Sequence, residues 1–145
     1  NICDQWEKSA DQFSSIGSRV VKIRTGIVLS EKEGALPRLS KPVRLGLGSA
    51  IGSGKQYLPW IHVDDLCHIY LRAIEDSEMR GPYNAVAPEH STNMEFVKMI
   101  AKRFNRSVWL PNIPSFLIKL IFGEMSVMLL QGSRVSSEKG MGKVY

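Results

Sequence analysis

The sequence predicts an α/β fold built on a parallel sheet, and three observations indicate it. A helical pattern at the start, with Ile2, Trp6, Ala10 and Phe13 on one face, leads directly into a β-branched run at residues 19–29, which is half of a βαβ unit. Apolar residues are nearly continuous in the first part of that run, as in a strand covered on both faces of a parallel sheet. From about residue 88 the pattern becomes mostly helical.

The composition is that of an ordinary folded domain. The 145 residues fall within the usual size of one domain, and 43% of them are hydrophobic and 23% charged. These values argue against a mainly disordered, collagen-like or coiled-coil chain. No apolar run reaches the roughly 18 residues that a membrane-spanning helix requires. We therefore expect no membrane partner.

The formal net charge is +5, and the basic residues are spread along the chain apart from one dense group. That group lies at the spacing of a helix face and consists of Lys98, Lys102, Arg103 and Arg106. The spacing favours a solvated helix face, with an anion-binding patch as the alternative. Because the sequence shows neither a recognition motif nor an aromatic-basic stacking platform, we expect no nucleic-acid partner.

In the middle of the chain, the pattern predicts a helix, a glycine-rich loop, a strand and a second helix, at residues 35–43, 46–54, 57–63 and 64–74. Pro59 places the strand at a sheet edge or a bulge. Asp64 and Asp65 open the second helix, one as its cap and the other in its first turn.

The last part of the chain predicts a strand at 83–87, a helix from residue 93, a brief strand at 108–110 and two helices separated by Gly123. Thr92 and Glu95 have the spacing of a capping box, and Pro114 stands at the start of the first of the two final helices. The large aromatic side chains that we expect to anchor the core are Trp6, Phe96, Phe104 and Trp109.

The glycine-rich loop does not match either common phosphate-binding motif. Its glycines lead into a strand rather than a helix, and Gln56 stands where a P-loop requires Ser or Thr. Flexible backbone N–H groups beside Lys55 could still cradle a phosphate. A structural turn is the alternative interpretation.

A group of His and Asp residues at His62, Asp64, Asp65 and His68 invites comparison with a metal site. Helix capping explains the two carboxylates more simply, so we predict no metal. Cys3 and Cys67 fit no metal or redox spacing, which predicts reduced thiols and a cytoplasmic location. The sequence starts without Met inside a helical pattern, which predicts an excised fragment.

Five blocks in order carry a resemblance to a known family: RTGIVLS at 24–30, GLGSAIGSGKQ at 46–56, WIHVDDLC at 60–67, GPYNAVAPEHSTNMEF at 81–96 and FGEMSVMLLQG at 122–132. Together they resemble the C-terminal half of the epimerase-like, atypical short-chain dehydrogenase/reductase family. The resemblance implies the C-terminal portion of a Rossmann-like fold without its N-terminal dinucleotide-binding half. Residues 1–88 would form the sheet and the substrate-side loops, and residues 89–145 a small, mostly helical domain of unknown function.

The resemblance also implies site residues. Arg24, Thr25 and Gly26 would lie beside the nicotinamide of NAD or NADP. The substrate cleft would be faced by Lys55, Gln56, Trp60 and His62. Asp65 would cap its helix.

Extended members of that family transfer protons with a Tyr-x-x-x-Lys pair. No tyrosine here is followed four residues later by lysine, and the resemblance places the lysine position near Cys3. Either this branch lacks the lysine or the register differs. The catalytic residues are therefore unassigned.

The function implied is that of the substrate-binding portion of an NAD(P)-dependent nucleoside-diphosphate-sugar epimerase or oxidoreductase. The alternative is a non-catalytic, nucleotide-sensing or cell-division-associated scaffold. We expect the chain alone to be inactive and to bind neither cofactor tightly, because the phosphate-binding half is missing. The sheet edge left by missing strands predicts a dimer or an aggregate.

Overall fold

The computed structural model describes residues 2–123 together with residues 126, 130, 132 and 135. The helices are α1 (Ile2–Asp11), α2 (Ala35–Arg44), α3 (Val63–Glu75), α4 (Asn93–Arg103) and α5 (Ser115–Phe122), and a 3₁₀ helix, Gln12–Ile16, follows α1. The strands are β1 (Val21–Thr25), β2 (Ile27–Leu29), β3 (Tyr57–Leu58), β4 (Trp60–His62), β5 (Gly81–Ala85) and β6 (Ser91–Thr92). The helix predicted after Gly123 lies outside the described residues.

Most of the predicted elements are confirmed, with shifted bounds. The strand predicted at 19–29 is present but interrupted at Gly26, and the strand predicted at 57–63 is interrupted at Pro59. The prediction of a brief strand at 108–110 is wrong, and the short strand β6 was not predicted. Interruptions fall at a glycine and a proline because neither residue supports a regular central strand.

The pairing of the strands is parallel where they form the sheet. β1 pairs with β5, beginning at Val21 opposite Gly81, and β2 pairs with β4, beginning at Ile27 opposite Trp60. β3 and β6 form a separate antiparallel pair. The predicted parallel sheet is therefore confirmed.

Strand β4 lies between β2 and the segment that follows β5. The carbonyl of Pro59 accepts a hydrogen bond from the N–H of Ile27 at 2.8 Å, and the carbonyl of Trp60 accepts one from the N–H of Ala87 at 2.6 Å. Because consecutive carbonyls of an extended strand point to opposite sides, β4 has a neighbour on each side. β1 and β5 thus separate at their carboxyl ends, and β4 fills the gap.

Two clusters of apolar side chains cover the two faces of this sheet. Leu29 packs with residues of α2 and α4, namely Val43, Phe96, Val97, Ile100 and Ala101. Ile61 packs with Ile69 of α3 and with Ala85. Adjacent residues of β4 belong to different clusters, as the two-residue period of a strand requires. The chain therefore has helices on both faces of its sheet.

The capping box predicted for α4 is present. The Thr92 hydroxyl accepts the Glu95 N–H at 3.3 Å, and a Glu95 carboxylate oxygen accepts the Thr92 N–H at 2.8 Å. The Thr92 hydroxyl also donates to the same carboxylate oxygen at 2.8 Å, and the hydrogen bonds that the Thr92 N–H and hydroxyl donate to it lower the pKa of Glu95. The box fixes the start of the helix that carries most of the larger core cluster.

Three of the four predicted core anchors are wrong. Phe96 is buried, but Trp6 and Trp109 are each 71% exposed and Phe104 is 37% exposed. Trp6 lies on an apolar face of α1 that no described residue covers, and Trp109 follows α4 in an irregular segment. Phe104 follows the last turn of α4, where its ring lies under Arg44.

No helix among the described residues combines the length and the apolar composition needed to cross a membrane. The division at residue 88 stays a prediction, although α4 shares a core cluster with α2.

Candidate functional site

The centre of the candidate site is the point where β1 and β5 separate. The N–H of Gly26 donates to the carbonyl of Ala85 at 3.1 Å, and the next residue already donates to Pro59. A Cβ atom at Gly26 would lie 2.7 Å from the Pro59 carbonyl oxygen and 3.0 Å from a methyl group of Val86. Glycine is therefore required here by close approach of two neighbouring backbones.

The two residues before Gly26, which the sequence assigns to the cofactor, end strand β1. The Arg24 guanidinium is held by Glu7 of α1, through Nε to Oε1 at 2.6 Å and Nη2 to Oε2 at 2.7 Å. This paired hydrogen bond with Arg24 lowers the pKa of Glu7, and it raises the pKa of Arg24. Thr25 is exposed. Arg24 thus ties α1 to the sheet, the exposed Thr25 ends β1, and the half-buried Gly26 follows it.

The glycine-rich loop is held by hydrogen bonds to the protein itself. The buried Asn93 side chain accepts the N–H of Ile51 at 2.7 Å, and Asn112 donates to the carbonyl of Gly52 at 3.1 Å. The N–H of Gly52 donates to Ile113, and the N–H of Gly54 donates to Ile51. The N–H groups of Ile51, Gly52 and Gly54 are therefore already paired within the protein, which favours the structural turn over a phosphate cradle.

Asn93 and Asn112 are the residues that sequence reasoning missed. Asn93 begins α4, and its side chain bonds a backbone group 42 positions earlier in the chain. No local pattern signals such a contact. The sequence shows only that an asparagine directly follows a helix cap, a position from which its side-chain amide can form a hydrogen bond with a neighbouring loop.

Lys55 and Gln56 end this loop. The Gln56 amide donates to the Ile51 carbonyl at 2.8 Å and accepts from the Ser53 hydroxyl at 3.4 Å. Lys55 is exposed, and its side chain forms no ion pair with any described carboxylate. Gln56 therefore braces the loop, and Lys55 presents a positive charge at its surface.

Trp60 and Gly26 are brought together by the pairing of β2 with β4. The Trp60 ring packs against the larger core cluster, and its indole N–H is buried without a hydrogen-bond partner among the described residues. A buried donor without an acceptor costs about 1–3 kcal/mol. Trp60 is thus a core residue that carries an unused donor near the end of β1.

His62 lies at the carboxyl end of β4, opposite Leu29. Its Nδ1 accepts the N–H of Asp64 at 3.3 Å, so His62 is the N-cap of α3. The prediction that Asp64 or Asp65 caps this helix is wrong: both carboxylates lie in its first turn, where the helix dipole favours negative charge. Nδ1 also lies 3.5 Å from a carboxylate oxygen of Asp64, and Nε2 forms no hydrogen bond with any described residue.

The predicted site residues do not all converge. His62 stands at the level of Leu29, three residues along β2 from Gly26, which corresponds to about 10 Å of strand. A small hollow beside Gly26 is lined by residues from both sides of the gap, including Tyr57, Pro59, Val86 and His90. A larger cleft of about 210 Å³ lies at the amino ends of β1 and β5, between Ser18 and Arg80. Within the described part of the chain, no group of three or more His, Cys, Asp or Glu side chains could hold a metal ion.

Comparisons with known proteins show which proteins the chain is similar to. Residues 113–141 match the family described as "Domain of unknown function (DUF1731)". The chain is 37% identical to "Epimerase family protein SDR39U1" of Mus musculus over 146 residues, which cover 100% of the chain and 49% of that protein. The chain therefore spans about half the length of the curated relatives it matches.

Two solved structures share both sequence and fold with the chain. The human epimerase family protein SDR39U1 (isoform 2), described as a crystal structure with NADPH, matches at a TM-score of 0.81 and 38% identity over 88% of the chain and 43% of that structure. The nucleoside-diphosphate sugar epimerase from Corynebacterium glutamicum matches at a TM-score of 0.64 and 35% identity, over 83% and 26% respectively. By sequence and by fold, the chain is therefore similar to the C-terminal portion of the epimerase family proteins of the short-chain dehydrogenase/reductase type.

Proposed function

We propose that the chain forms the substrate side of an NAD(P)-dependent epimerase or oxidoreductase that acts on a nucleoside-diphosphate sugar. The observation that carries the proposal is the separation of β1 from β5 at Gly26. In open α/β sheets, ligands bind at the carboxyl ends of the strands where neighbouring strands separate. The human relative described with NADPH, and the Corynebacterium relative named for nucleoside-diphosphate sugars, support the cofactor and the substrate class.

The residues at this edge fit the nicotinamide end of a dinucleotide but not its pyrophosphate. Thr25 is exposed, and Gly26 offers backbone without a side chain. The glycine-rich loop uses its own N–H groups internally, so the pyrophosphate needs a different segment. The nicotinamide, when bound, supplies a reversible hydride acceptor.

Two side chains away from that edge are suited to hold the substrate, and one of them, His62, lies about 10 Å along the sheet from Gly26. Lys55 brings a positive charge that fits a diphosphate, and His62 offers its Nε2–H to a hydroxyl or phosphate oxygen. The relatives carry epimerase names, so they do not favour the scaffold alternative.

The test is cofactor and substrate binding by the full-length protein. Fluorescence titration with NADPH and NADH is expected to show saturable binding of at least one of them, and the proposal fails if neither binds. Lys55→Gln is expected to weaken UDP-glucose binding about tenfold or more, since a hydrogen bond to a charged group contributes about 1.5–3 kcal/mol. Lys119→Gln, also exposed and also the loss of one positive charge, is the matched control and should leave binding unchanged.

A further inference from the structure

Basic and acidic residues are unevenly distributed along this chain, which the formal net charge of +5 does not show. Two long segments, residues 34–63 and 96–123, contain no Asp or Glu. They carry nine of the 19 Lys and Arg residues: Arg38, Lys41, Arg44, Lys55, Lys98, Lys102, Arg103, Arg106 and Lys119. The rest of the chain is acidic on balance. A surface that binds an anionic partner would explain this separation of basic from acidic residues, whereas exposure of charged side chains to water alone would not.

The fold brings the two acid-free segments together. Helices α2 and α4 pack through Val43, Val97 and Ala101, and their carboxyl ends meet where the Arg44 guanidinium lies 5.9 Å from the centre of the Phe104 ring. The acidic residues nearest in sequence, Glu33 and Glu95, precede α2 and lie in the first turn of α4. They are therefore at the opposite end of the helix pair.

A Schellman turn ends α4 and brings Arg106 back to the carboxyl ends of the helix pair. Asn105 has a positive φ of 51°, the N–H of Asn105 donates to Lys102 at 3.2 Å, and the N–H of Arg106 donates to Ala101 at 2.8 Å. The cations at this end are all exposed, and none forms an ion pair with a described carboxylate: Lys41, Arg44, Lys102, Arg103 and Arg106.

Large apolar side chains stand among these cations. Leu45 is 68% exposed, Leu47 56% and Trp109 71%. The segments that follow Leu47 and Trp109 run side by side in parallel, joined by Ile113 N–H to Ala50 and by the bridge between Ile51 and Ile113. The Ser49 hydroxyl also donates to the Pro111 carbonyl at 2.6 Å, so Leu47 and Trp109 each lie two residues before a paired position. We name the five cations with Leu45, Leu47 and Trp109 the cationic end.

We propose that the cationic end is a docking surface for an anionic lipid bilayer. Clustered Lys and Arg residues are attracted to the negative potential of such a membrane. Exposed leucines and a tryptophan enter the boundary between headgroups and acyl chains. A nucleic acid would use the Trp109 ring for base stacking but would leave the aliphatic Leu45 and Leu47 in water, whereas a bilayer buries all three side chains. The proposal departs from the expectation of no membrane partner, which rested on the lack of a spanning segment; peripheral docking needs none.

The experiment is co-sedimentation of the full-length protein with vesicles of phosphatidylcholine alone and of phosphatidylcholine mixed with phosphatidylserine. We expect binding to the anionic vesicles, weaker at high salt, and little binding to the neutral ones. The triple variant Lys41→Gln, Lys102→Gln, Arg106→Gln is expected to bind about a hundredfold more weakly, since each cation near the surface contributes about a fivefold factor. The control triple variant, Lys8→Gln, Lys32→Gln, Arg80→Gln, removes the same number of positive charges outside the cationic end.

A second variant tests the apolar part of the cationic end. Leu47→Ser with Trp109→Ser is expected to weaken binding to anionic vesicles at unchanged net charge, and thermal unfolding of every variant checks that the fold is kept. The proposal is overturned if anionic vesicles are not bound, or if the control triple variant loses as much affinity as the test variant. Binding of a DNA duplex or of a polyglutamate peptide without vesicle binding would assign the surface to a different partner. Vesicle binding is read without enzyme activity, so its failure is separate from failure of the cofactor proposal.

Discussion

Replacing Gly26 with alanine is expected to destabilise the fold by about 1–2 kcal/mol. The added Cβ would lie 2.7 Å from the Pro59 carbonyl oxygen and 3.0 Å from both the Pro59 carbonyl carbon and a Val86 methyl group. Forcing a methyl into a packed site costs about 1–3 kcal/mol, and the lower entropy of the unfolded alanine chain returns about 0.4–1 kcal/mol. Two of the obstructing atoms are backbone, so a rotamer change cannot relieve the clash.

Urea unfolding measures this effect. With a slope of about 1–3 kcal/mol per molar, the midpoint should fall by roughly 0.3–2 M while the slope stays the same. Thr25→Ala, one residue earlier and exposed, is the control and should change stability by less than about 0.5 kcal/mol. Equal midpoints for the two variants would refute the close approach of β1, β4 and β5 on which the site depends.

Two further predictions concern helix caps. His62→Asn keeps a capping side chain for α3 but removes Nε2, so it should preserve stability and weaken UDP-glucose binding; His62→Ala should also lose about 1 kcal/mol of stability. Unchanged binding by the asparagine variant would exclude His62 as a substrate contact. For α4, the native pKa of Glu95 lies below its ordinary value of 4.5, so the charged capping box stabilises the fold above that pH and is lost as pH falls through the native pKa. Glu95→Gln should flatten the fall in stability on acidification, and a curve identical to wild type would contradict this role.

The elements with a strong local pattern were predictable. Thr92 and Glu95 mark the start of α4 by a capping box, whose partners are three residues apart. The parallel sheet followed from the apolar run at β1 and β2, since a strand covered on both faces needs hydrophobic residues at every position. The glycine-rich loop was correctly located, but its role as a structural turn depends on Asn93 and Asn112, which are distant in sequence.

The incorrect predictions share a physical origin. Trp6 and Trp109 were assigned to the core because large aromatic residues are usually buried, yet burial depends on which other surfaces are present to cover them. The cap of α3 was assigned to an aspartate on statistical preference, whereas the turn from β4 places His62 Nδ1 over the first N–H groups of the helix. The seven assigned site residues stay predictions. Arg24 and Gln56 serve the fold and His62 caps α3 through Nδ1, whereas the Lys55 side chain and the His62 Nε2 atom form no hydrogen bond or ion pair with described residues.

The sequence by itself determined the class of fold, a family resemblance and most of the helices. Fold class and helices were predictable because periodicity, caps and breaking residues act over a few positions of the chain. The tertiary structure alone decided that β4 enters the gap between β1 and β5. It also decided that N–H groups of the glycine-rich loop donate hydrogen bonds within the protein, and that two acid-free segments meet at one end of a helix pair. Each of these depends on contacts between residues that lie tens of positions apart, and such contacts are fixed by packing and hydrogen-bond geometry rather than by any local pattern.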